Sequence, residues 1–224
     1  MKINIVIPVR NGSRRVPNKN FRPFIENKSL LEIKIEQLLK TFDSKFITVN
    51  GDKGPAENIS EKYGVNFIER ASSLTSSSAM PADVWKNVAS NYSSNDHMAY
   101  VLCNNPFFEE YEKAIDLYKE IVEGGKFSGL ASTTIVKKHI IDIHGKPQGF
   151  EFGKNYIPSE KLKFLYEING GIQISRVSEI LKTNSLFGIS PKFHDFGCQS
   201  FEIDSIFEFK NSINQIQSKL KNEK

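Results

Sequence analysis

The sequence predicts an α/β fold built around a mostly parallel sheet. Strand-like runs alternate with helix-like runs along the chain, and this alternation is typical of βα units. Ile3–Val9 is a nearly continuous β-branched run, as expected for a central strand that is buried on both faces. Between Leu30 and Leu39, apolar residues recur at spacings that place most of them on one stripe of a helix. We expect one domain over residues 1–224, because a chain of this length can bury a core of ordinary size.

The remaining predicted elements follow the same rhythm. Strands are predicted at 46–50, 66–69, 98–103, 129–136, 171–174 and 199–203, and helices at 56–63, 81–91, 111–122, 177–182 and 206–219. The segment 144–156 is rich in Gly, Pro and Lys and interrupts the alternation. We therefore expect an excursion from the main sheet in this part of the chain, within residues 139–168.

Composition excludes several classes of protein. Hydrophobic residues make up 39% and charged residues 25% of the chain, which indicates a globular rather than a disordered protein. No apolar run reaches the ~20 residues of a membrane-spanning helix, and Met1–Val9 lacks a signal-peptide layout, so a cytoplasmic protein without a membrane partner is expected. A net charge of +4 is too small to indicate a nucleic-acid partner. Cys103 and Cys198 lack metal-ligand spacing, so neither a zinc site nor a disulfide framework is indicated.

The loop after the first strand, Arg10–Asn20, gives the clearest functional signal. In an open parallel sheet, ligands lie outside the carboxyl ends of the strands, where Arg and Lys can counter the charge of a triphosphate. Gly12 would let the backbone approach such a ligand closely. Neither a GxxxxGK[ST] P-loop nor a GxGxxG motif is present. The loop therefore predicts a phosphate site of another type, and the alternative is a solvated basic loop. Its cations are Arg10, Arg14, Arg15 and Lys19.

Residues 7–20 have the sequence Ile-Pro-Val-Arg-Asn-Gly-Ser-Arg-Arg-Val-Pro-Asn-Lys-Asn. This stretch resembles the pattern I-P-x-R-x-G-S-R/K-x-x-x-x-K-N of the acylneuraminate cytidylyltransferase family, which includes CMP-sialic acid, CMP-legionaminic, CMP-pseudaminic and CMP-Kdo synthetases. The resemblance continues more weakly along the whole chain. It implies a Rossmann-like sheet of the nucleotide-diphospho-sugar transferase type, CTP and an acidic sugar as substrates, and Mg²⁺ as cofactor. The nucleotide-binding residues that it implies in this loop are Arg10, Asn11, Gly12, Ser13, Arg14, Lys19 and Asn20. Asn20 would hold either the nucleotide or the arriving sugar, while Arg15 is interpreted as exposed.

The segment Arg70–Asp83 resembles the part of that family that lies near the cytosine and ribose. The resemblance implies that Arg70 and Ser78 bind the acceptor groups of the base. Selecting cytosine over uracil requires hydrogen-bond donors in a tight pocket, which these residue types can supply. The alternative interpretation is a Ser-rich turn.

Three asparagines are candidates for binding the acceptor sugar. Asn104 and Asn105 stand where relatives have Q-P-T-S-P or a related sequence, and in sialic acid synthetases a glutamine there contacts the sugar. Either asparagine is a shorter substitute for that glutamine. The sequence Asn169-Gly170-Gly171 resembles the family segment N-G-A-x-Y, which implies that Asn169 faces the acceptor. The alternative is a tight turn that leads into a strand.

Glu202 and Asp204 alternate at the end of a predicted strand, so both carboxylates are expected on the same face of the sheet. Mg²⁺ prefers oxygen ligands, usually one or two carboxylates together with phosphates and waters. Relatives have D-x-D here, which Asp204 matches and Glu202 replaces with a longer side chain. Both are predicted metal ligands, and the alternative for Asp204 is an N-cap of the following helix.

The resemblance implies attack by the anomeric hydroxyl of a 2-keto-3-deoxy sugar acid on the α-phosphorus of CTP, with release of pyrophosphate. Positioning and charge neutralisation dominate such reactions, and Arg10, Lys19 and Asp204 are the predicted catalytic residues. Relatives usually form homodimers in which an inserted segment closes the partner's acceptor site, and residues 139–168 are the candidate segment. Two alternatives stay open: a nucleotidyltransferase for another acceptor, Kdo-like or not a sugar, and a catalytically silent nucleotide-binding homologue.

Overall fold

The computed structural model describes residues 1–76, 78–198 and 200–222. Its helices are Leu30–Leu39 (α1), Pro55–Tyr63 (α2), Pro81–Ala89 (α3), Tyr111–Glu123 (α4), Val177–Thr183 (α5) and Ile206–Asn222 (α6). Its strands are Ile3–Pro8 (β1), Ile47–Gly51 (β2), Asn66–Glu69 (β3), His97–Tyr100 (β4), Gly129–Val136 (β5), Ile140–Ile141 (β6), Pro147–Gln148 (β7), Leu165–Arg176 (β8) and Pro191–Asp195 (β9). None of the helices in this part of the chain combines the length and apolar character needed to cross a membrane.

The main sheet has seven strands in the order β3-β2-β1-β4-β8-β5-β9. β8 runs antiparallel to both of its neighbours, β4 and β5, whereas all other neighbouring strands are parallel. Together with the intervening helices, this arrangement confirms the predicted α/β fold with a mostly parallel sheet. β6 and β7 form a separate two-stranded antiparallel sheet.

Helices cover both faces of the sheet, which explains why most residues of β1 are apolar. Successive side chains of a strand point to opposite faces. Ile5 and Ile7 are fully buried in the larger core, with residues of α1, α2 and α4, while Val6 is fully buried in a second cluster with residues of α3 and α5. A strand that is covered on both sides needs a nearly continuous apolar run, and Ile3–Val9 provides one that only Asn4 interrupts.

The predicted strand at 199–203 is wrong. Gln199 lies outside the described residues, and residues 200–204 form no strand; the edge strand is β9, which pairs with β5. Ile203 is fully buried beside Val16 of the loop after β1, and Phe201 packs against the same cluster. The apolar residues that predicted a strand therefore pack under a loop, and Ile203 is held by Lys19 of that loop and by the Asn104 carbonyl instead of extending the sheet.

The excursion leaves the main sheet after β5 and returns at β8, so residues 165–168 belong to the sheet and not to the excursion. The excursion contains β6, β7 and a small aromatic cluster of its own. The His139 ring stacks on Tyr156 with the ring centroids 4.5 Å apart, and the Phe150 ring packs edge-on against both. The segment is thus held by local packing rather than by the main core.

Candidate nucleotide-binding site

The strand order places a crevice beside β1. From β1 the sheet continues to β2 and β3 on one side and to β4 on the other, and open α/β sheets bind ligands at such a switch point, beyond the carboxyl ends of the strands. A cavity of about 550 Å³ lies there, between the loop after β1 and residues 101–104 after β4. The strand topology therefore brings together two segments that are far apart in sequence.

The loop after β1 is fixed from below by one apolar residue. Val16 is fully buried in a cluster with Phe24, Leu30 and Ile203. The Lys19 N–H donates to the Val16 carbonyl at 3.1 Å, which closes a turn around this anchor. Gly12 has φ 75°, in the left-handed region that favours glycine. The loop is thus an ordered part of the fold.

Five cationic side chains line the cavity: Arg10, Arg14, Arg15, Lys19 and Arg70. Ser13 and Asn20 line it as well, and the side-chain oxygen of Asn20 is buried without a hydrogen-bond partner in the described part of the chain. Such an acceptor is costly unless a ligand donates to it. Asn11 and Gly12 are not part of the lining. The structure thus brings together most of the predicted phosphate-binding residues, together with Arg15.

Arg70 forms one wall of the cavity and is held from behind. Its guanidinium donates to the side-chain and main-chain oxygens of Asn50 at 3.4 and 3.3 Å, and only 6% of the residue is exposed. Burial lowers the Arg70 pKa from its usual value, and the nearby Tyr100 and Asp52 act in the opposite direction. A guanidinium keeps its charge under such conditions and has five donors, so donors remain for a ligand.

An apolar surface lies beside Arg70 and is suited to contact a flat aromatic ring. It consists of Leu74, Ala79, Pro81, Val84, Trp85 and Tyr100. The predicted base-binding Ser78 is exposed, and its hydroxyl is 2.9 Å from that of Ser76, which lines the cavity instead. Sequence reasoning missed Trp85, although its place four residues after Pro81 puts both on one side of α3.

The segment 202–204, which carries Glu202 and Asp204, is tied directly to the loop Arg10–Asn20, named here the phosphate loop. The Lys19 ammonium is 2.9 Å from one Asp204 oxygen and donates to the Ile203 carbonyl at 2.6 Å, and the Arg15 guanidinium is 3.0 Å from the other Asp204 oxygen. Partial burial would raise the Asp204 pKa, but Lys19 and Arg15 outweigh it and hold the pKa below its usual value. Arg15, interpreted from sequence as merely exposed, is therefore one of the two partners of Asp204.

Glu202 lies beside Asp204 in a less polar environment. Burial raises the pKa of the Glu202 carboxyl, a hydrogen bond of 3.2 Å from the Asn104 amide opposes this, and the charge of Asp204 adds to the rise. The alternative role of Asp204 as an N-cap is not seen, because the Ser205 hydroxyl accepts from the Glu208 N–H at 3.1 Å. Glu202 and Asp204 do not themselves line the cavity, but each is bonded to a residue that does, Asp204 to Lys19 and Glu202 to Asn104.

The two carboxylates fit the protein's share of a magnesium site. No group of three or more His, Cys, Asp or Glu side chains converges anywhere in the described ranges. A cation here would therefore take most of its ligands from phosphate and water, as Mg²⁺ usually does. Asp204 would have to exchange at least one of its ion pairs for the metal.

Asn105 and Asn169 lie in the core rather than on the cavity. The Asn105 side chain donates to the Asn169 carbonyl at 2.6 Å and accepts from the N–H groups of Phe107 and Phe108. The Asn169 side chain donates to Thr134 and Ser200 and accepts from Ser132 and Gly171, so its hydrogen-bonding capacity is filled. Of the three predicted acceptor-binding asparagines, only Asn104 lines the cavity.

A doubly wound α/β sheet with a cation-lined crevice beside its first strand is typical of nucleotide-binding proteins. The model of the cytidylyltransferase family matches residues 4–123, more than half of the chain. The chain therefore belongs to the cytidylyltransferase family, which confirms the resemblance seen in the sequence. The match includes every cationic residue of the cavity but ends before Asn169, Glu202 and Asp204.

Curated relatives are similar over most of this chain. An N-acylneuraminate cytidylyltransferase of Streptococcus agalactiae is 27% identical over 199 residues, which cover 84% of this chain and 46% of that protein. This chain thus spans about half the length of the curated relatives it matches.

Solved structures show the same fold at low sequence identity. A CMP:2-keto-3-deoxy-manno-octonic acid synthetase complexed with CTP superposes with a TM-score of 0.70 at 14% identity, covering 98% of this chain and 100% of the other. The 4-diphosphocytidyl-2C-methyl-D-erythritol synthase of Anaerococcus prevotii gives 0.66 at 15% identity, covering 96% and 98%. These likenesses establish the nucleotidyltransferase type of fold.

Proposed function

We propose that this chain is a CTP-dependent cytidylyltransferase that activates an acidic 2-keto-3-deoxy sugar, a nonulosonic acid, as its CMP derivative. The observation that carries the proposal is the convergence of five cationic side chains on one cavity at the carboxyl ends of β1 and β4. The N-acylneuraminate cytidylyltransferases among its relatives support the choice of substrates. In the reaction the anomeric hydroxyl oxygen bonds to the α-phosphorus, pyrophosphate leaves with the bridging oxygen, and the hydroxyl proton passes to solvent.

The cavity suits a nucleoside triphosphate along its length. Arg10, Arg14 and Lys19 would neutralise charge on the phosphate oxygens as it shifts to the leaving pyrophosphate. The apolar wall formed with Trp85 would receive the base, and the free donors of Arg70 would bind its acceptor groups. Because no side chain forms a covalent intermediate in this scheme, holding the reactants in line is the main contribution of the protein.

We further propose that Asp204 and Glu202 hold Mg²⁺ when CTP is bound. The cation would supply neutralisation of charge on the phosphate oxygens. This assignment is supported by the bonds of both carboxylates to residues that line the cavity, Asp204 to Lys19 and Glu202 to Asn104. Asp204→Ala is expected to abolish turnover that depends on Mg²⁺ while leaving the fold intact, as measured by circular dichroism.

The residues of the cavity constrain the identity of the acceptor less than that of the nucleotide. A second candidate function therefore differs from the first in its acceptor. Asn104 is the one predicted acceptor-binding amide on the cavity, because Asn105 and Asn169 use their side chains inside the core. This departure favours, as the second candidate, a cytidylyltransferase for a different acceptor, Kdo-like or not a sugar.

The proposal is tested by measuring pyrophosphate release with each of the four nucleoside triphosphates against a panel of sugar acids, with and without Mg²⁺. We expect release only with CTP, Mg²⁺ and a nonulosonic acid, and a CMP-sugar mass in the product. Turnover of CTP with a different acceptor would replace the first candidate by the second. Binding of CTP without turnover of any acceptor would instead identify a catalytically silent homologue.

We propose a cytoplasmic homodimer as the working form. Support comes from large apolar side chains exposed on and beside the excursion, among them Phe164 and Tyr166, each 54% exposed. Exposed apolar surface of this kind is typical of an interface. A cytoplasmic location agrees with the use of CTP.

A further inference from the structure

The turn that ends β2, Asn50–Asp52, contacts two separate parts of the nucleotide site. On one side, the Val9 N–H donates to the Asn50 carbonyl at 2.9 Å, and the Asn11 N–H donates to an Asp52 carboxylate oxygen at 2.6 Å. On the other side, the Arg70 N–H donates to the Gly51 carbonyl at 2.8 Å, and its guanidinium bonds to Asn50. The turn thus joins the start of the phosphate loop to the arginine of the opposite wall.

The close approach of this turn to β1 depends on a glycine. A Cβ added to Gly51 would lie 2.7 Å from a Val9 methyl group and 3.0 Å from the Val9 carbonyl oxygen. Real Cβ atoms essentially never come so near to other atoms, so a side chain at this position would push the two strand ends apart. The hydrogen bond from Asn11 to Asp52 therefore forms where Gly51 allows the ends of β1 and β2 to approach closely.

Asp52 is a negative charge next to the start of the cationic loop after β1, although it does not itself line the cavity. Its field reaches Arg70, and its second carboxylate oxygen is buried without a hydrogen-bond partner within the described ranges. A carboxylate near a triphosphate opposes binding by charge alone. It also occupies the Asn11 N–H at the start of the loop after β1. The position of Asp52 beside the site therefore calls for a role that offsets this repulsion.

We propose that Asp52 is a positioning residue for the triphosphate. By accepting the Asn11 N–H it fixes the peptide between Arg10 and Asn11, so that Arg10 is held toward the cavity before the nucleotide arrives. Holding a cation in place in advance avoids the ordering cost on binding. The proposal rests on the proposed use of CTP and deepens it, because it assigns a residue that acts on the phosphates through the loop.

The proposal and a purely electrostatic role predict opposite changes in the CTP affinity of Asp52→Ala. If Asp52 acted only through its charge, Asp52→Ala and Asp52→Asn would both bind CTP more tightly. If it positions the loop, Asp52→Ala weakens CTP binding, because one charge-assisted hydrogen bond is lost, an effect of about tenfold or more. Asp52→Asn keeps an acceptor oxygen and should bind CTP at least as well as the wild type. Asp52→Glu keeps the charge but displaces the acceptor, so it should also weaken binding.

The experiment is titration calorimetry of CTP and of CMP with the wild type and the three variants, in the presence of Mg²⁺ and without an acceptor. We expect the CTP affinity of Asp52→Ala to fall about tenfold or more and its CMP affinity to change less, because the loop holds the outer phosphates. Asp116→Ala is the matched control, since Asp116 is an exposed aspartate of α4 that pairs only with Lys119 in the described chain. It should bind CTP as the wild type does.

A merely structural role would lower the melting temperature without changing the ratio of CTP to CMP affinity. A folded Asp52→Ala that binds CTP as tightly as the wild type, or an Asp52→Asn that is as weak as Asp52→Ala, would overturn the assignment. If Asp52→Ala does not fold, unchanged CTP binding by Asp52→Glu has the same consequence. Failure of the wild type itself to bind CTP would instead remove the proposed function.

Discussion

Arg10 and Arg14 differ from the other loop cations because neither has a carboxylate partner in the described residues, whereas Lys19 and Arg15 share Asp204. Both arginines can therefore bind phosphate without first breaking an ion pair. We expect Arg10→Ala to lower kcat/KM for CTP roughly hundredfold, the scale of losing one donor to developing charge. The measurement is steady-state pyrophosphate release.

Arg176→Ala is the matched control, because Arg176 is an exposed arginine paired in register with His97 at the start of β4, the opposite end from the cavity. An Arg10→Ala enzyme with the activity of this control would contradict the role of the phosphate loop.

Lys34 of α1 is a fully buried amine that supports the segment after β4. It donates to the carbonyl oxygens of Asn105 at 2.8 Å and Phe108 at 3.4 Å and to the Tyr111 hydroxyl. Burial lowers its pKa from 10.5 to about 7, with Cys103, Glu109 and Cys198 acting in the opposite direction. Between pH 7 and pH 10, the unfolded chain therefore holds a proton that the folded chain has lost.

Because of this difference, Lys34 should make the free energy of unfolding rise with pH in that window. The total rise should be on the order of a few kcal/mol. Below pH 7 both states are protonated and the cost of burying the charge is complete. Urea unfolding of the wild type and Lys34→Met at several pH values isolates this term, with the exposed Lys119→Met as control. Parallel pH profiles for the wild type and Lys34→Met would refute the depressed pKa.

At the scale of single residues, the sequence predicted the cations of the site better than its acceptor side. Arg10, Lys19 and Arg70 line the cavity. Arg10 and Lys19 belong to the loop after the buried strand β1, and Arg70 directly follows β3, so local pattern indicates their positions. Asn105 and Asn169 were assigned by resemblance, and no local pattern indicates that their amides would be filled by main-chain and hydroxyl groups of the core. Such saturation depends on contacts between residues far apart in sequence.

At the scale of elements, the start of α6 is a capping box. The Ser205 hydroxyl accepts from the Glu208 N–H at 3.1 Å, while the Glu208 carboxylate accepts from the N–H groups of Ser205 and Asp204 at 2.7 and 2.8 Å. These bonds fix the backbone that presents Asp204 to Lys19. The spacing of Ser205 and Glu208 is a sequence signature of a helix start, and it identifies the cap that was sought at Asp204.

Ser205→Ala should lower the free energy of unfolding by about 1 kcal/mol, the usual cost of losing such a cap. It should also raise the Mg²⁺ concentration needed for half-maximal activity, since Asp204 loses its support. Chemical unfolding and a Mg²⁺ titration measure the two effects, with the exposed Lys210→Ala of the same helix as control. Equal stability of the two variants would contradict the capping role.

Most elements could be predicted because their periodicity is local. The bounds of α1, β3 and β5 agree with the sequence analysis, and each is a run whose burial follows its own pattern. The segment around Ile203 misled because burial under the loop after β1 produces the same apolar residues as burial in a sheet. The antiparallel direction of β8 likewise depends on its partners β4 and β5 and not on its own sequence.

At the scale of the whole molecule, one apolar surface is left uncovered at the outer end of the β5–β8 pair. Phe164, Tyr166 and Ile168 alternate along the chain and are 54%, 54% and 44% exposed, and Ile135 is the direct partner of Tyr166 across the pair. Residues two apart on a strand and direct partners across it share one face. These four side chains form the proposed dimer surface.

Tyr166→Glu should convert the dimer to a monomer at micromolar concentration, because a charge at the centre of an apolar interface loses its hydration. Sedimentation velocity over a range of concentrations measures the change. Ile189→Glu is the control, since Ile189 is 62% exposed and lies outside this surface. A wild type that stays monomeric at all concentrations would remove the dimer from the proposal.

The excursion begins and ends at one rung of the sheet, because Val136 and Leu165 are direct partners in the β5–β8 pair. A segment anchored in this way can be lengthened, shortened or exchanged without shifting any strand, since its two stems stay side by side. A change in the excursion can therefore alter the surface that the protein presents beyond this rung, while the cation-lined cavity on the other half of the sheet stays unchanged.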